Sequence, residues 1–91
     1  MKGTHLVRVT KLQGGMPLPL HGVHIETLHL TAPVEVVQDT QTMYLCLDGE
    51  VVVDFDLEFV HLRALETCTV QQGHKLSPVD GAVVLRVKTS R

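Results

Sequence analysis

Short runs of β-branched and aliphatic residues, each stopped within a few positions by Gly, Pro or Asp, recur along this chain. Valine is frequent in His5–Val9, Val34–Val37, Val51–Val53 and Val83–Val87, a composition suited to pleated, half-buried surface. No window carries the three-to-four-residue apolar repeat of an amphipathic helix, so the pattern predicts an all-β chain with little or no helix. Asp48-Gly49, set between Met43–Leu47 and Glu50–Phe55, predicts a two-residue hairpin, because both central residues of that turn take positive φ. Gly14-Gly15, followed by Pro17 and Pro19, predicts a loop after a first strand, and Pro33 separates His24–Leu30 from Val34–Val37. Asp54, Asp56 and Glu58 bracket a second tight connection into Phe59–Leu62. Gly73, Pro78 and Asp80-Gly81 break up the C-terminal third before a last strand, Ala82–Lys88. About eight short antiparallel strands at this spacing make a sandwich or a barrel, and closure is one way to remove exposed edges.

The length, 91 residues, suits one hydrophobic core and is too short for two, so residues 1–91 are expected to form a single domain. Hydrophobic residues at 44% and charged residues at 20% are ordinary globular proportions and argue against disorder. A formal charge of −2 gives no footprint for a phosphate backbone, and three aromatic residues, Tyr44, Phe55 and Phe59, make no platform for stacked bases. Nucleic acid is therefore not an expected partner. The N-terminal residues Met1–His5 carry no apolar signal region, and no run approaches the roughly 20 apolar residues of a membrane span. No membrane partner is expected, and cytoplasmic residence follows as the default. Cys46 and Cys68 make no disulfide framework; both lie among apolar neighbours and read as small buried hydrophobes, with a reactive thiol or a bridge as the alternatives.

From about Thr40 to Val87 the chain resembles the conserved half of a cupin domain. Tyr44-Leu45-Cys46-Leu47-Asp48-Gly49-Glu50-Val51-Val52-Val53 is similar to that family's strand–glycine–strand motif. His61 to His74 is similar to its second motif, completed by Leu76-Ser77-Pro78 and Ala82–Val87. The resemblance implies a small antiparallel barrel of the double-stranded β-helix, or jelly-roll-like, kind. It also implies a homodimer, with the Val- and Leu-rich stretch ahead of Asp48-Gly49 as a candidate interface. The departures carry the functional argument. The family's metal-binding glutamate falls at Thr42, and its paired histidines fall near Glu35–Gln38, where no histidine stands. In the second motif the glycine falls at Leu65 and the proline at Gln71, while a histidine remains at His74. One ligand of four is left, with Glu35 or Asp39 as possible oxygen donors; a catalytic metal needs about three converging protein ligands. The chain thus resembles a degenerate cupin, and neither a metal nor another cofactor is expected.

Six histidines invite a metal reading, most of all at His21-Gly22-Val23-His24. An i, i+3 spacing on a strand sends the two side chains to opposite faces, so solvated or singly hydrogen-bonded histidines are the simpler reading. His24, Glu26 and Leu28 share one face and His29 takes the other; a composite site of His24 with His74 needs His24 to point inward. Strand alternation places Thr42, Tyr44 and Cys46 on one face, the face that the resemblance turns toward the interior together with His74. A hydroxyl, a phenol, a thiol and an imidazole in an apolar wall have the composition of a ligand pocket, and the imidazole can serve as an acid–base group. The plainer alternative is that these four side chains fill a small barrel. Five acids between Asp48 and Glu58 match no 12-residue calcium loop and read as a solvated hairpin face, as Arg86, Lys88 and Arg91 read as a solvated strand end. The expected function is a metal-free small-molecule binding or structural barrel, with Thr42, Tyr44, Cys46 and His74 as ligand-binding residues. The alternative is a small metal-dependent enzyme of isomerase or dioxygenase type, with ligands from His24, His74, Glu26 or Glu35.

Overall fold

Two long strands organise the molecule. A computed structural model describes residues 6–18, 23–37 and 41–89, in the order α1 (Leu6–Gln13), β1 (Gly15–Leu18), β2 (Val23–Leu30), β3 (Val34–Val36), β4 (Thr42–Phe55), β5 (Glu58–Leu62), β6 (Thr67–Val70) and β7 (His74–Thr89). β4 and β7 pair antiparallel over most of their length, from Thr42 opposite Lys88 to Asp54 opposite Lys75. Each then takes different partners at its two ends. β6 lies beside Thr42–Leu45 of β4 and β2 beside 82–89 of β7, with β1 outermost, which makes one half-sheet. β5 lies beside Val51–Phe55 of β4 and β3 beside 74–76 of β7, which makes the other. The described strands form an antiparallel sheet that does not close on itself; it folds over, and the core lies between its halves.

The fold-over sits at Asp48-Gly49, where the expected hairpin is replaced by an irregularity inside a single strand. Only Gly49 has positive φ there (78°), so a turn requiring it at both residues cannot form. The register against β7 moves by two residues on β4 and one on β7 between Cys46/Val84 and Asp48/Val83, which leaves Leu47 as the extra residue of a bulge. A one-residue insertion flips the strand's faces. Accordingly Thr42, Tyr44 and Cys46 face the core before the bulge, and Val51 and Val53 face it afterwards. A methyl group on Gly49 would overlap the Gly81 carbonyl oxygen, so the corner needs both its backbone angle and its missing side chain. Asp80-Gly81 likewise lies inside β7 and does not end a strand, with Gly81 at φ 78°. The tight hairpin is the second connection: Phe55 faces Glu58 across the two-residue turn Asp56-Leu57, with Asp56 at φ 57°.

Two further expectations change at the N-terminal end. The stretch expected as a first strand, His5–Val9, is helical from Leu6; His5 lies outside the described residues. β-branched residues disfavour a helix only weakly, and tertiary contact overrides them: α1 packs on β1, β2 and β7, and the buried Thr10 hydroxyl hydrogen-bonds that of Thr27. Gly14, at φ 84°, ends the helix, its N–H donating to the Thr10 carbonyl at 2.7 Å. The segment expected as a loop after it, Gly15–Leu18, is strand β1. Proline is tolerated at Pro17 because β1 is an edge strand.

Candidate functional site

Tyr44 and His74 meet inside the fold, from opposite halves. Tyr44 stands on β4 before the bulge, opposite Arg86 of β7, and is fully buried. His74 opens β7 in the other half-sheet, opposite Val36, at 7% exposure. Their rings pack edge-on, with centroids 5.2 Å apart at 74°, and the Tyr44 hydroxyl lies 2.5 Å from His74 Nε2. The other ring nitrogen, Nδ1, lies 2.7 Å from the Gln72 carbonyl oxygen. A carbonyl only accepts, so Nδ1–H donates to it, Nε2 keeps its lone pair, and the phenol donates to Nε2. Both imidazole nitrogens are engaged, and the pair ties one half-sheet to the other.

A second polar pair lies beside the first. Glu26 of β2 and Arg86 of β7 are direct cross-strand neighbours on the face that carries Tyr44, and Arg86 Nε donates to Glu26 Oε1 at 2.9 Å, with a second contact from the guanidinium. Burial pushes the Tyr44 phenol above its ordinary value, opposed by hydrogen bonding to and charge from Arg86. Reading Arg86 as part of a solvated strand end is therefore corrected: its side chain is 16% exposed and ion-paired. The clue in the sequence was that Glu26 and Arg86 both sit at inward-facing strand positions, but it takes the β2–β7 register to make them neighbours. Arg91 lies outside the described residues.

Of the four residues singled out from sequence, the structure brings Tyr44 and His74 into contact. Thr42 and Cys46 are buried on the same face of β4. Cys46 points toward the corner, its thiol donating to the carbonyls of Gly49 (3.3 Å) and Asp48 (3.7 Å), and burial raises its pKa. Burial raises that of Cys68 as well. Open space lies nearby at the mouth between the half-sheets. Three shallow recesses of about 410, 440 and 260 Å³ adjoin there, all lined by Phe55. The first adds Gln41, Thr69, Gln71 and Gln72, the second Asp56, Leu57 and Glu58, and the third reaches His74 among Glu35, Asp54, Asp56 and Lys75. Sequence reading missed this polar and charged lining around Phe55, because its members come from separate loops and strand ends.

No family model and no curated protein matches the chain. Solved structures do. A Neisseria meningitidis protein superposes with a TM-score of 0.81 over 98% of this chain and 100% of that one, at 14% identity. A cupin-2 domain protein from Shewanella frigidimarina gives 0.71 over 80% and 78%, at 14% identity. A cupin superfamily protein from Desulfitobacterium hafniense gives 0.71 over 82% and 74%, at 22% identity. The chain has the fold of a small cupin domain.

Cupins commonly hold a metal, and the side chains of the described residues do not fit one. Among the described residues no three His, Cys, Asp or Glu side chains converge on one point. His74 has both nitrogens committed, Glu26 is held by Arg86, and His24 and Glu35 are exposed on separate strands. His21 and Asp39, the remaining candidates, lie outside the described residues.

Proposed function

We propose that this domain is a metal-free binding barrel that takes a small, neutral polar ligand at its mouth, over Phe55 and against the amides of Gln41, Gln71 and Gln72. One observation carries the reading. Phe55 lines two adjoining recesses of opposite character: the one that reaches His74 is bordered by Glu35, Asp54, Asp56 and Lys75, and the other is bordered by the neutral amides of Gln41, Gln71 and Gln72. Such a lining offers an apolar surface with a few fixed donors and acceptors, the composition of a small-molecule site. His74 then borders the adjoining recess, Tyr44 fixes its tautomer, and Thr42 and Cys46 support the pair from the same buried face of β4. The amides of Gln41, Gln71 and Gln72 both donate and accept, which suits hydroxyl or amide groups of a ligand.

The test combines metal analysis with a ligand screen on the full chain. Zinc, iron, manganese, nickel and copper are each expected below about a tenth of an equivalent, with melting unchanged by a chelator. Among uncharged polar compounds, a ligand present at about 100 times its Kd should add about 2.7 kcal/mol to stability. That shift should vanish in Phe55→Ala and persist in Phe59→Ala. Near-stoichiometric metal lost on His74→Ala would overturn the reading.

A further inference from the structure

Arg86 gives the buried polar groups a direction. It is the cross-strand partner of Tyr44 between β4 and β7, and its guanidinium hydrogen-bonds the Tyr44 side chain. A guanidinium only donates, so the phenol oxygen accepts from Arg86 and its single proton is left for His74 Nε2. Nε2 then carries a lone pair and Nδ1 the proton, which goes to the Gln72 carbonyl at 2.7 Å. On the other side, Glu26 of β2 holds Arg86 and balances its charge. Side chains from β2, β4 and both ends of β7 thus form one chain, running from an obligate donor to an obligate acceptor. The other imidazole tautomer carries two faults. The Tyr44 proton would lose Nε2 as its acceptor, and the Nδ1 lone pair would face the Gln72 carbonyl oxygen.

The chain ends where the mouth begins. Residues 71–73 connect β6 in one half-sheet to the start of β7 in the other. Gln71 and Gln72 line the first recess, Gln72 also lines the second, and Gly73 lines the third. Among the described residues no turn or loop backbone hydrogen bond falls on 71–73. The Nδ1–H of His74 supplies support at the middle residue of this connection, from a ring that is 7% exposed. Glu26, Arg86 and Tyr44 line none of the three recesses, so any effect they have on the mouth passes through His74.

We propose that Arg86 is the positioning residue of the mouth: held by Glu26 and acting through Tyr44 and His74, it keeps residues 71–73 where the amides of Gln71 and Gln72 meet a ligand. This role rests on the reading of the mouth as a binding site.

Nitrogen-15 NMR of the full chain is the test, since the two ring nitrogens of a neutral histidine differ according to which carries the proton. His74 is expected in the Nδ1–H form, and backbone order parameters at 71–73 should be near about 0.85, the value of rigid backbone. Arg86→Met combined with Glu26→Gln removes the donor without leaving a carboxylate unpaired. In that variant the order parameters at 71–73 should fall below about 0.6, while those of Val51 and Val53 stay near about 0.85. The Nε2–H form should appear beside the Nδ1–H form. Arg86→Lys, which keeps a charged donor, should hold both readouts close to those of the unaltered chain. Circular dichroism confirms that each variant is folded. A His74 ring in the Nε2–H form in the unaltered chain would overturn the proposal, and so would unchanged order at 71–73 in the double variant. Neither readout uses a ligand. An empty ligand screen would therefore sink the binding reading alone, whereas unchanged order would sink the role of Arg86 and leave that reading standing.

Discussion

The two half-sheets share β4 and β7 yet are finished differently. On the β2 side the outer face is covered: Thr27 lies fully buried under α1, Val83 is fully buried on the same face, and Lys11 of the helix bridges to Asp48 at 2.8 Å. On the β5 side the outer face stands open, with Phe59 67% and Val79 60% exposed. One half is therefore covered on its outer face where α1 lies, and the other is covered only where it meets the core. The difference teaches that burial here follows what is packed on a strand more than the strand's own composition, since Val79 and Val83 lie four residues apart on one strand with opposite fates. The free edge of β5 belongs to the open half, and the recesses lie where that half meets the end of β6.

If the halves depend on one another, damage at their common corner should abolish the contrast. Gly49→Ala meets the Gly81 carbonyl and forces a side chain into positive φ, and should cost about 3 kcal/mol or more, read as a loss of urea stability. Hydrogen exchange should speed up in β2 and β5 together; loss confined to one half would show that the halves are separable. A sharper cut is Tyr44→Phe, which keeps the packing and leaves His74 Nε2 without its donor, at a cost of about 2 kcal/mol. The same variant carries a pH signature. Because the Tyr44 pKa is raised from 10.0, the folded state holds its proton more tightly than the unfolded chain does. That stability is intact below pH 10 and is lost as pH rises beyond it. Tyr44→Phe should flatten the alkaline fall, leaving the part due to Cys46 and Cys68, which are raised from 9.0 by burial. The smallest effect belongs to the helix. Thr10→Val strands the buried Thr27 hydroxyl and should cost about 1 kcal/mol, with faster exchange in β2 and none in β5.

What sequence could reveal follows the same division. Alternating burial along β4 and the turn at Asp56 came through because each rests on a local rule: period two, or a tight connection between apolar runs. Asp48-Gly49 misled because Gly at positive φ serves a hairpin and a bulge equally. Parity could not separate them, since a two-residue hairpin would also put Tyr44, Cys46, Val51 and Val53 on one face. The helix was hidden by Val7, Val9 and Thr10, whose weak preferences gave way to packing on β2. At the site, Tyr44 and His74 emerged only through the cupin resemblance, because 30 residues separate them. Glu26–Arg86 spans 60, and only the strand register joins them. The recesses around Phe55 had no local signature at all.

The position of β7 in the sheet has a consequence for the order of events during synthesis. β2, β3 and β4 all pair with β7, and β7 spans His74–Thr89. While residues 74–89 are still inside the ribosome, the emerged chain holds β1–β2 as one unit and β4 with β5 and β6 as another, with no strand to join them. The hairpin across Asp56-Leu57 can form early, since its loop is short and closing it costs little entropy. The barrel cannot. Its assembly waits for one late strand to enter between β2 and β4, so apolar strand edges stay exposed until residues 74–89 have left the ribosome, and this is the interval in which the nascent chain most needs protection from other chains.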